Sequence, residues 1–318
     1  WKSLMFGMLS TTVMQSSSLV TVITISFLSV GILDLAAGIG IIFGANLGTT
    51  TGAWLIAGLG LKVKIATYAM PMLIFGIFLV FQKSKSLKAI GSILAGMGFL
   101  FLGIHYMKEG FDAFRDTINL AEYALTGARG LLVFTLIGIA MTVVMQSSHA
   151  AMVLIITALS VQQITYDNAL ALAIGSNIGT TVTAIIGSMS ANVAGKRLAV
   201  AHLLFNLVTA LVALLMLEQF MQAVDSIAVA MNIAANDVTL KLAIFHSLFN
   251  LVGILIMLPF IDLLVRQIER LLKGKQVQID KPKYLNDEAM KFPDTVVLAV
   301  HQETLRLYRH ARPIILKT

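Results

Sequence analysis

The segment Val-Met-Gln-Ser-Ser occurs twice, at residues 13–17 and 144–148, an offset of 131 residues. A second pair, Gly-Ala-Asn-Leu-Gly-Thr-Thr-Thr at 44–51 and Gly-Ser-Asn-Ile-Gly-Thr-Thr-Val at 175–182, falls at the same offset of 131, with Gly, Asn, Gly, Thr and Thr identical. Two independent matches in one register mark a duplicated unit. Carried backwards, the register pairs Trp1 with Leu132, so residues 87–129 have no counterpart ahead of the first copy. Trp1 itself lies in an apolar run without a signal-peptide pattern, and the expectation is that a native segment precedes it.

Each Gln-Ser-Ser segment is flanked by two apolar pieces, 1–13 with 19–33 and 131–145 with 150–160. Each piece is shorter than the roughly 20 residues that a spanning helix needs. A helical hairpin that enters and returns from one side fits such pieces, and its irregular tip must then face protein, water or cargo. The chain is 58% hydrophobic and 12% charged, with a mean hydropathy of +0.88, so its solvent is a bilayer. Three crossings fit between the hairpins, at 36–59, 65–81 and 87–107. An odd number inverts the second hairpin. The expected fold is therefore an all-α polytopic membrane protein of two inverted-topology repeats, residues 1–86 and 87–265, each with a re-entrant hairpin and broken helices. A basic tail, 266–318, follows. Full crossing by each Gln-Ser-Ser segment would instead make the repeats parallel.

The net charge of +7 sits mainly in short loops and the tail. That is a topology signal and not a nucleic-acid footprint. With the tail inside, Lys83, Lys85, Lys88, Lys196 and Arg197 are also inside, and Glu109, Asp112, Asp116, Glu122, Glu218, Asp225 and Asp237 are outside. Lys62, Lys64, Arg115 and Arg129 run against this bias. A multi-pass protein of the cell membrane, of bacterial inner-membrane type, is the expected location, and assembly as a homo-oligomer is compatible with it. The chain has no cysteine, which excludes disulfides and thiolate-bound metals.

The polar residues of the paired motifs carry no formal charge. Hydroxyl and amide oxygens, with carbonyls freed at a helix break, are hard neutral ligands for an alkali cation. Backbone N–H groups at the start of each second half-helix are donors for an oxyanion, helped by the helix dipole. An anion held there without Arg or Lys needs compensating charge, and a co-bound cation is its natural source. Small polar residues also serve as interhelical packing contacts; Gly91, Ala95, Gly96 and Gly103 are read as packing contacts too. A third repeated element, His-Leu-Leu-Phe-Asn at 202–206 and His-Ser-Leu-Phe-Asn at 246–250, places His and Asn four residues apart on one helix face. Two readings stand for His202, Asn206, His246 and Asn250: interhelical hydrogen bonding, or support of the hairpin tips. His149 replaces the third serine, Ser18, and either senses pH or packs as a neutral ring. With no Gly-x-Ser-x-Gly elbow, no His-Glu-x-x-His and no pair of intramembrane carboxylates, the chain is not expected to be an enzyme.

Duplicated Gln-Ser-Ser(-Ser), followed about thirty residues later by Gly-Ala/Ser-Asn-x-Gly-Thr-Thr, resembles the type II sodium-dependent phosphate cotransporter family and its bacterial relatives. The similarity runs over residues 1–265. It implies a sodium-coupled importer of inorganic phosphate, with sodium as coupling ion and no other cofactor. Phosphate would be held by Gln15, Ser16, Ser17, Ser18, Gln146, Ser147 and Ser148 with Asn46 and Asn177. Sodium would be held by Gln15, Ser17, Thr49, Thr50, Gln146, Ser148, Thr180 and Thr181. His149 departs from the pattern, and no carboxylate setting charge stoichiometry can be placed. The same polar pocket would also suit another oxyanion or an organic anion, and a membrane-bound phosphate sensor or scaffold acting through its tail is the reading outside transport. In the tail, residues 291–311 look like the opening of a PhoU-like helical domain, the alternative being an amphipathic helix on the membrane surface. Cysteines placed by Ser3→Cys and Arg129→Cys are expected to be labelled from opposite faces of the membrane. Labelling of both from one face would sink the inverted arrangement.

Overall fold

The computed structural model describes residues 1–60, 65–115, 126–274, 283–285 and 293–315, and its regular structure there is entirely helical. Lys62, Lys64, Asp116, Glu122 and Pro282 lie outside the described residues. The helices are α1 (Lys2–Met14), α2 (Ser17–Ser29), α3 (Leu35–Leu55), α4 (Ile65–Val80), α5 (Lys85–Arg115), α6 (Gly127–Met145), α7 (Ser148–Ser160), α8 (Tyr166–Ser188), α9 (Val193–Leu215), α10 (Leu217–Ala230), α11 (Val238–Met257), α12 (Ile261–Leu271) and α13 (Pro293–Ile315). They form two compact units, Trp1–Lys273 and Gly274–Thr318.

Among the described residues, six stretches are long and apolar enough to cross a bilayer: Leu35–Gly58, Lys85–Phe111, Gly127–Met145, Tyr166–Ser188, Val193–Leu215 and Val238–Leu271. The protein is a multi-pass membrane protein. The piece read from sequence as starting at residue 131 begins four residues earlier, at Gly127, where φ is +67°. The resulting α6 has 19 residues and reaches spanning length. In contrast α1, α2 and α7 have 13 residues each, about 20 Å at 1.5 Å per residue, against a hydrocarbon core of about 30 Å.

α3 and α8 form the centre, with 78% and 72% of their apolar windows buried, against 17% for α5. They can be surrounded because their sequences are apolar or small on every side. Gly44 of α3 lies on the Leu4 carbonyl of α1, and its counterpart Gly175 of α8 lies on the Thr135 carbonyl of α6; a Cβ at either would overlap backbone. The same approach recurs 131 residues apart, so α1 seats on α3 as α6 seats on α8. Gly91 packs in the same manner against Gly76 and Val80 of α4, but a Cβ at Gly96 or Gly103 would meet open space. Among the described residues nothing packs on those two glycines, contrary to the expectation from sequence.

Leu198 of α9 covers Gly38, and Phe43 stacks on Phe205 with centroids 4.3 Å apart, so α3 and α9 ascend together. α2 runs against α9: Asn192 donates to the Ser29 carbonyl at 2.7 Å, and Ile25 and Ser29 close on Gly195. α9 follows α8 through residues 189–192 and folds back along it. Its Arg197 donates twice to the Leu272 carbonyl, at 3.0 and 2.9 Å, and pairs with Glu269 at 3.2 Å. Within the tail unit, Glu303 accepts the N–H groups of Lys283 and Tyr284, both at 2.9 Å, and pairs with Arg306. The Tyr284 N–H foremost holds its carboxyl below the usual carboxylate range.

Gly44→Val and Gly175→Val are expected to destabilise the membrane unit by about 3 kcal/mol each, because a carbonyl cannot yield as a side chain can. Gly96→Ala is expected to leave stability unchanged. Thermal unfolding in detergent reads all three.

Candidate functional site

At both Gln-Ser-Ser segments the helix stops the same way. Gln15 and Gln146 adopt left-handed backbone, φ 51° and 52°, a conformation costing a non-glycine residue on the order of 1 kcal/mol or more. The serines that follow are extended and cap the next helix. Ser16 Oγ accepts the Leu19 N–H at 3.2 Å, and Ser147 Oγ accepts the Ala150 N–H at 3.1 Å. α2 then starts at Ser17 and α7 at Ser148. One N–H of each helix start is thereby capped by its serine, and further donors remain for a ligand. Ser17 and Ser148 are buried, whereas Ser16, Ser18 and Ser147 are half-buried.

The glutamine amides bind back to the helices that support the breaks. Gln15 Nε2 donates to the Thr12 carbonyl at 2.6 Å and to Thr51 Oγ1 at 3.0 Å. Gln146 Nε2 donates to the Val143 carbonyl at 2.5 Å, and its Oε1 accepts from Thr183 at 3.1 Å. The position equivalent to Thr183 is Gly52. Gln15 Oε1 accordingly finds no donor among the described residues although buried. That Oε1 and the His149 ring both crowd the point where a Cβ on Gly52 would stand. The two breaks therefore meet at Gly52 on α3. Beside it, Trp54 Nε1 donates to Ser247 Oγ at 2.9 Å and fastens α3 to α11.

The Gly-x-Asn-x-Gly-Thr-Thr elements lie inside α3 and α8, which run unbroken through them; the breaks fall at Gln-Ser-Ser. Thr49, Thr50, Thr180 and Thr181 are buried and donate their hydroxyl protons to carbonyls of their own helices, at 2.6–3.0 Å. Their remaining lone pairs suit a cation and not an anion. Asn177 is engaged by protein: its Nδ2 donates to Asn250 Oδ1 at 2.8 Å, and its Oδ1 lies 3.2 Å from His246 Nε2. The second His-x-x-x-Asn pair thus supports this asparagine directly. Its equivalent Asn46 donates to the Ile42 carbonyl at 3.0 Å. Both ring nitrogens of His202 and Oδ1 of Asn206 are buried without a partner among the described residues. Among the described residues no three acidic or imidazole groups gather into a chelating cluster.

Sequence reading missed Gly52 and the pairing of Thr142 with Ser176 at 2.9 Å. Both were detectable as places where the copies differ: Gly52 stands opposite Thr183, and Ser176 opposite Ala45. The second difference explains why Thr11, the equivalent of Thr142, keeps a buried hydroxyl without a partner among the described residues.

The family model described as Na+/Pi-cotransporter matches residues 1–109 and 121–272. The chain belongs to the Na+/Pi-cotransporter family. Among curated proteins, "Putative inorganic phosphate export protein YjbB" of Salmonella typhimurium is 28% identical over 308 residues, covering 93% of this chain and 53% of that protein. "Uncharacterized protein YqeW" of Bacillus subtilis is 29% identical over 212 residues, covering 64% of this chain and 65% of that protein. The chain thus spans between about half and two thirds of these relatives' lengths. No solved structure matches it.

Asn177→Ala strands the side chains of Asn250 and His246 in the core of this cotransporter-family protein. It is expected to cost about 2 kcal/mol or more. Asn206→Ala removes an acceptor that no described protein group uses and one bond from Nδ2 to the His202 carbonyl, and is expected to cost less. Denaturation midpoints of the two variants provide the comparison.

Proposed function

We propose that the chain is a sodium-coupled transporter of inorganic phosphate working by alternating access, with phosphate and sodium held between the two Gln-Ser-Ser tips near the bilayer midplane. The observation that carries this reading is the meeting of both helix breaks at Gly52, within helices α3 and α8 that carry no charged side chain near that level. In the proposed roles, the N-terminal N–H groups of α2 and α7 with Ser16, Ser17, Ser18, Ser147 and Ser148 hold the anion. Hydroxyl and amide oxygens of Gln15, Gln146, Thr49, Thr50, Thr180 and Thr181 hold sodium. Each ion relieves the charge of the other, so binding of either strengthens binding of the other by the same factor.

The repeats are proposed to be inverted. Support comes from the helix directions: α3 ascends with α9, while α8 is joined to α9 by a short connection and packs back along it. Each hairpin would then open toward its own face of the membrane. A bacterial inner membrane is the proposed location. For direction of transport, a sodium gradient drives the anion inward; the printed names of the relatives instead favour export.

Radiolabelled phosphate flux in proteoliposomes is expected to follow an imposed sodium gradient and to vanish without it. Flux into right-side-out against inside-out vesicles decides between import and export. Ser17→Ala and Ser148→Ala each remove one hydrogen bond to a charged ligand and are expected to raise the KM for phosphate about tenfold or more. Stronger competition by sulfate than by arsenate would point to a different oxyanion, and phosphate binding without flux would point to a sensor.

A further inference from the structure

Each hairpin leaves a groove between its arms, and the two grooves occupy repeat-related places. One, of about 440 Å³, is walled by Lys2, Phe6 and Met14 of α1 and by Ile23 and Phe27 of α2. The other, of about 400 Å³, lies between α6 and α7, where Val133, Ile137, Leu154 and Ala158 are the counterparts of Lys2, Phe6, Ile23 and Phe27 at the offset of 131. The walls differ in a consistent way. The second groove carries Phe134 and Met141 where the first has Ser3 and Ser10, and α5 adds Phe111 to it. The first groove keeps the small residues, and it has a lysine where the second has a valine.

From Lys2 to Met14, α1 rises about 18 Å at 1.5 Å per residue, close to the roughly 15 Å of one hydrocarbon leaflet. Over that length the walls are apolar: Phe6, Met14 and Phe27 are large and exposed, and Thr24 spends its hydroxyl on the Val20 carbonyl at 2.7 Å. Charge enters at the outer end. Lys2 is exposed there and makes no ion pair among the described residues. Asp34, which follows Leu33 of the groove wall, caps α3 by accepting the Ala37 N–H at 2.6 Å. Trp1 offers the first N–H groups of α1 no side-chain acceptor, so the positive end of a helix dipole adds to the ammonium. Lys2 also stands at the basic end of the unit: Ser3 packs on Gly40, Leu198 covers Gly38, and Lys196 and Arg197 directly precede Leu198.

We propose that the groove between α1 and α2 is a binding site for an anionic phospholipid, with one acyl chain along Phe6 and Phe27 toward Met14 and the headgroup phosphate on Lys2. This rests on the reading that the Gln-Ser-Ser tip lies near the bilayer midplane, which puts Lys2 at headgroup depth. Any lipid tail can wet walls of this kind, so the apolar length sets where a lipid lies and the ammonium sets which lipid is kept. In the second copy Val133 offers a phosphate no charge, and the bulkier Phe134 and Met141 stand in the wall. The selectivity therefore belongs to the first hairpin alone.

The test is native mass spectrometry of the full chain taken from vesicles of equal phosphatidylglycerol and phosphatidylcholine with the same acyl chains. The ratio of retained phosphatidylglycerol to phosphatidylcholine is expected to be about fivefold higher for wild type than for Lys2→Gln, the factor that one lysine contributes near an anionic surface. Lys2→Arg is expected to keep the preference, and Lys88→Gln, at an exposed lysine of α5, to leave it unchanged. Ser10→Met, which brings in the residue of the second copy, is expected to lower retention of both lipids. Equal ratios for wild type and Lys2→Gln would overturn the inference. A Ser10→Met variant that holds its lipid but changes oligomeric state would overturn it too, by giving the groove to a second copy of the chain. Depth is read separately from a nitroxide on Val13→Cys in this cysteine-free chain, expected near the midplane. A deep nitroxide without lipid preference would defeat this inference alone, and a nitroxide at headgroup depth would remove the midplane reading with it.

Discussion

A helix that stops within a packed bundle leaves N–H and C=O groups that need partners, and most of this membrane unit can be understood as an answer to that problem. Each break is confined to two residues. A glutamine takes the left-handed turn and binds its own helix through its amide, and a serine caps the next helix. A glycine in the turn would avoid the backbone cost, but it would supply no amide to hold the turn against α3 or α8. Close seating of α1 on α3 and of α6 on α8, through Gly44 and Gly175, then brings the breaks to the helices whose hydroxyls face them.

The two copies spend their polar groups differently. In the second, Thr142 meets Ser176, Gln146 meets Thr183, and Asn177 is held by Asn250 and His246. In the first, Thr11 Oγ1 and Gln15 Oε1 keep valences that no described protein group takes up, as do His202 and Asn206 Oδ1 on α9 of the second. Small substitutions account for much of this: Ala45 for Ser176, and Gly52 for Thr183. Duplication supplies the frame, and point differences within it decide which groups are committed to the fold.

The helical architecture was legible because hydrophobic length and a fixed repeat offset are properties of the linear chain. Helices α2 and α7 begin and end 131 residues apart, as the motif register required. Helix starts were less legible. α6 extends back to a left-handed glycine, a local backbone event that hydropathy does not record. Equally opaque was the division of labour between the two His-x-x-x-Asn elements, which share a pattern while one reaches Asn177 and the other does not. Pairwise contact across helices decides that, and the spacing along each helix is the same in both. Gly96 and Gly103 show the converse error: a small residue permits close packing without requiring it.

Arg197 illustrates how a single side chain can join distant parts of such a bundle. Its guanidinium holds the carbonyl of Leu272, where α12 has run out of partners, and the carboxylate of Glu269. Only a planar fork of donors can serve both at once. Five residues further along the same helix stands His202, buried toward the centre of the bundle. The last residues of the membrane unit are thus riveted to a helix whose next turns face the core, and a displacement of that helix would carry the end of α12 with it as if through a lever.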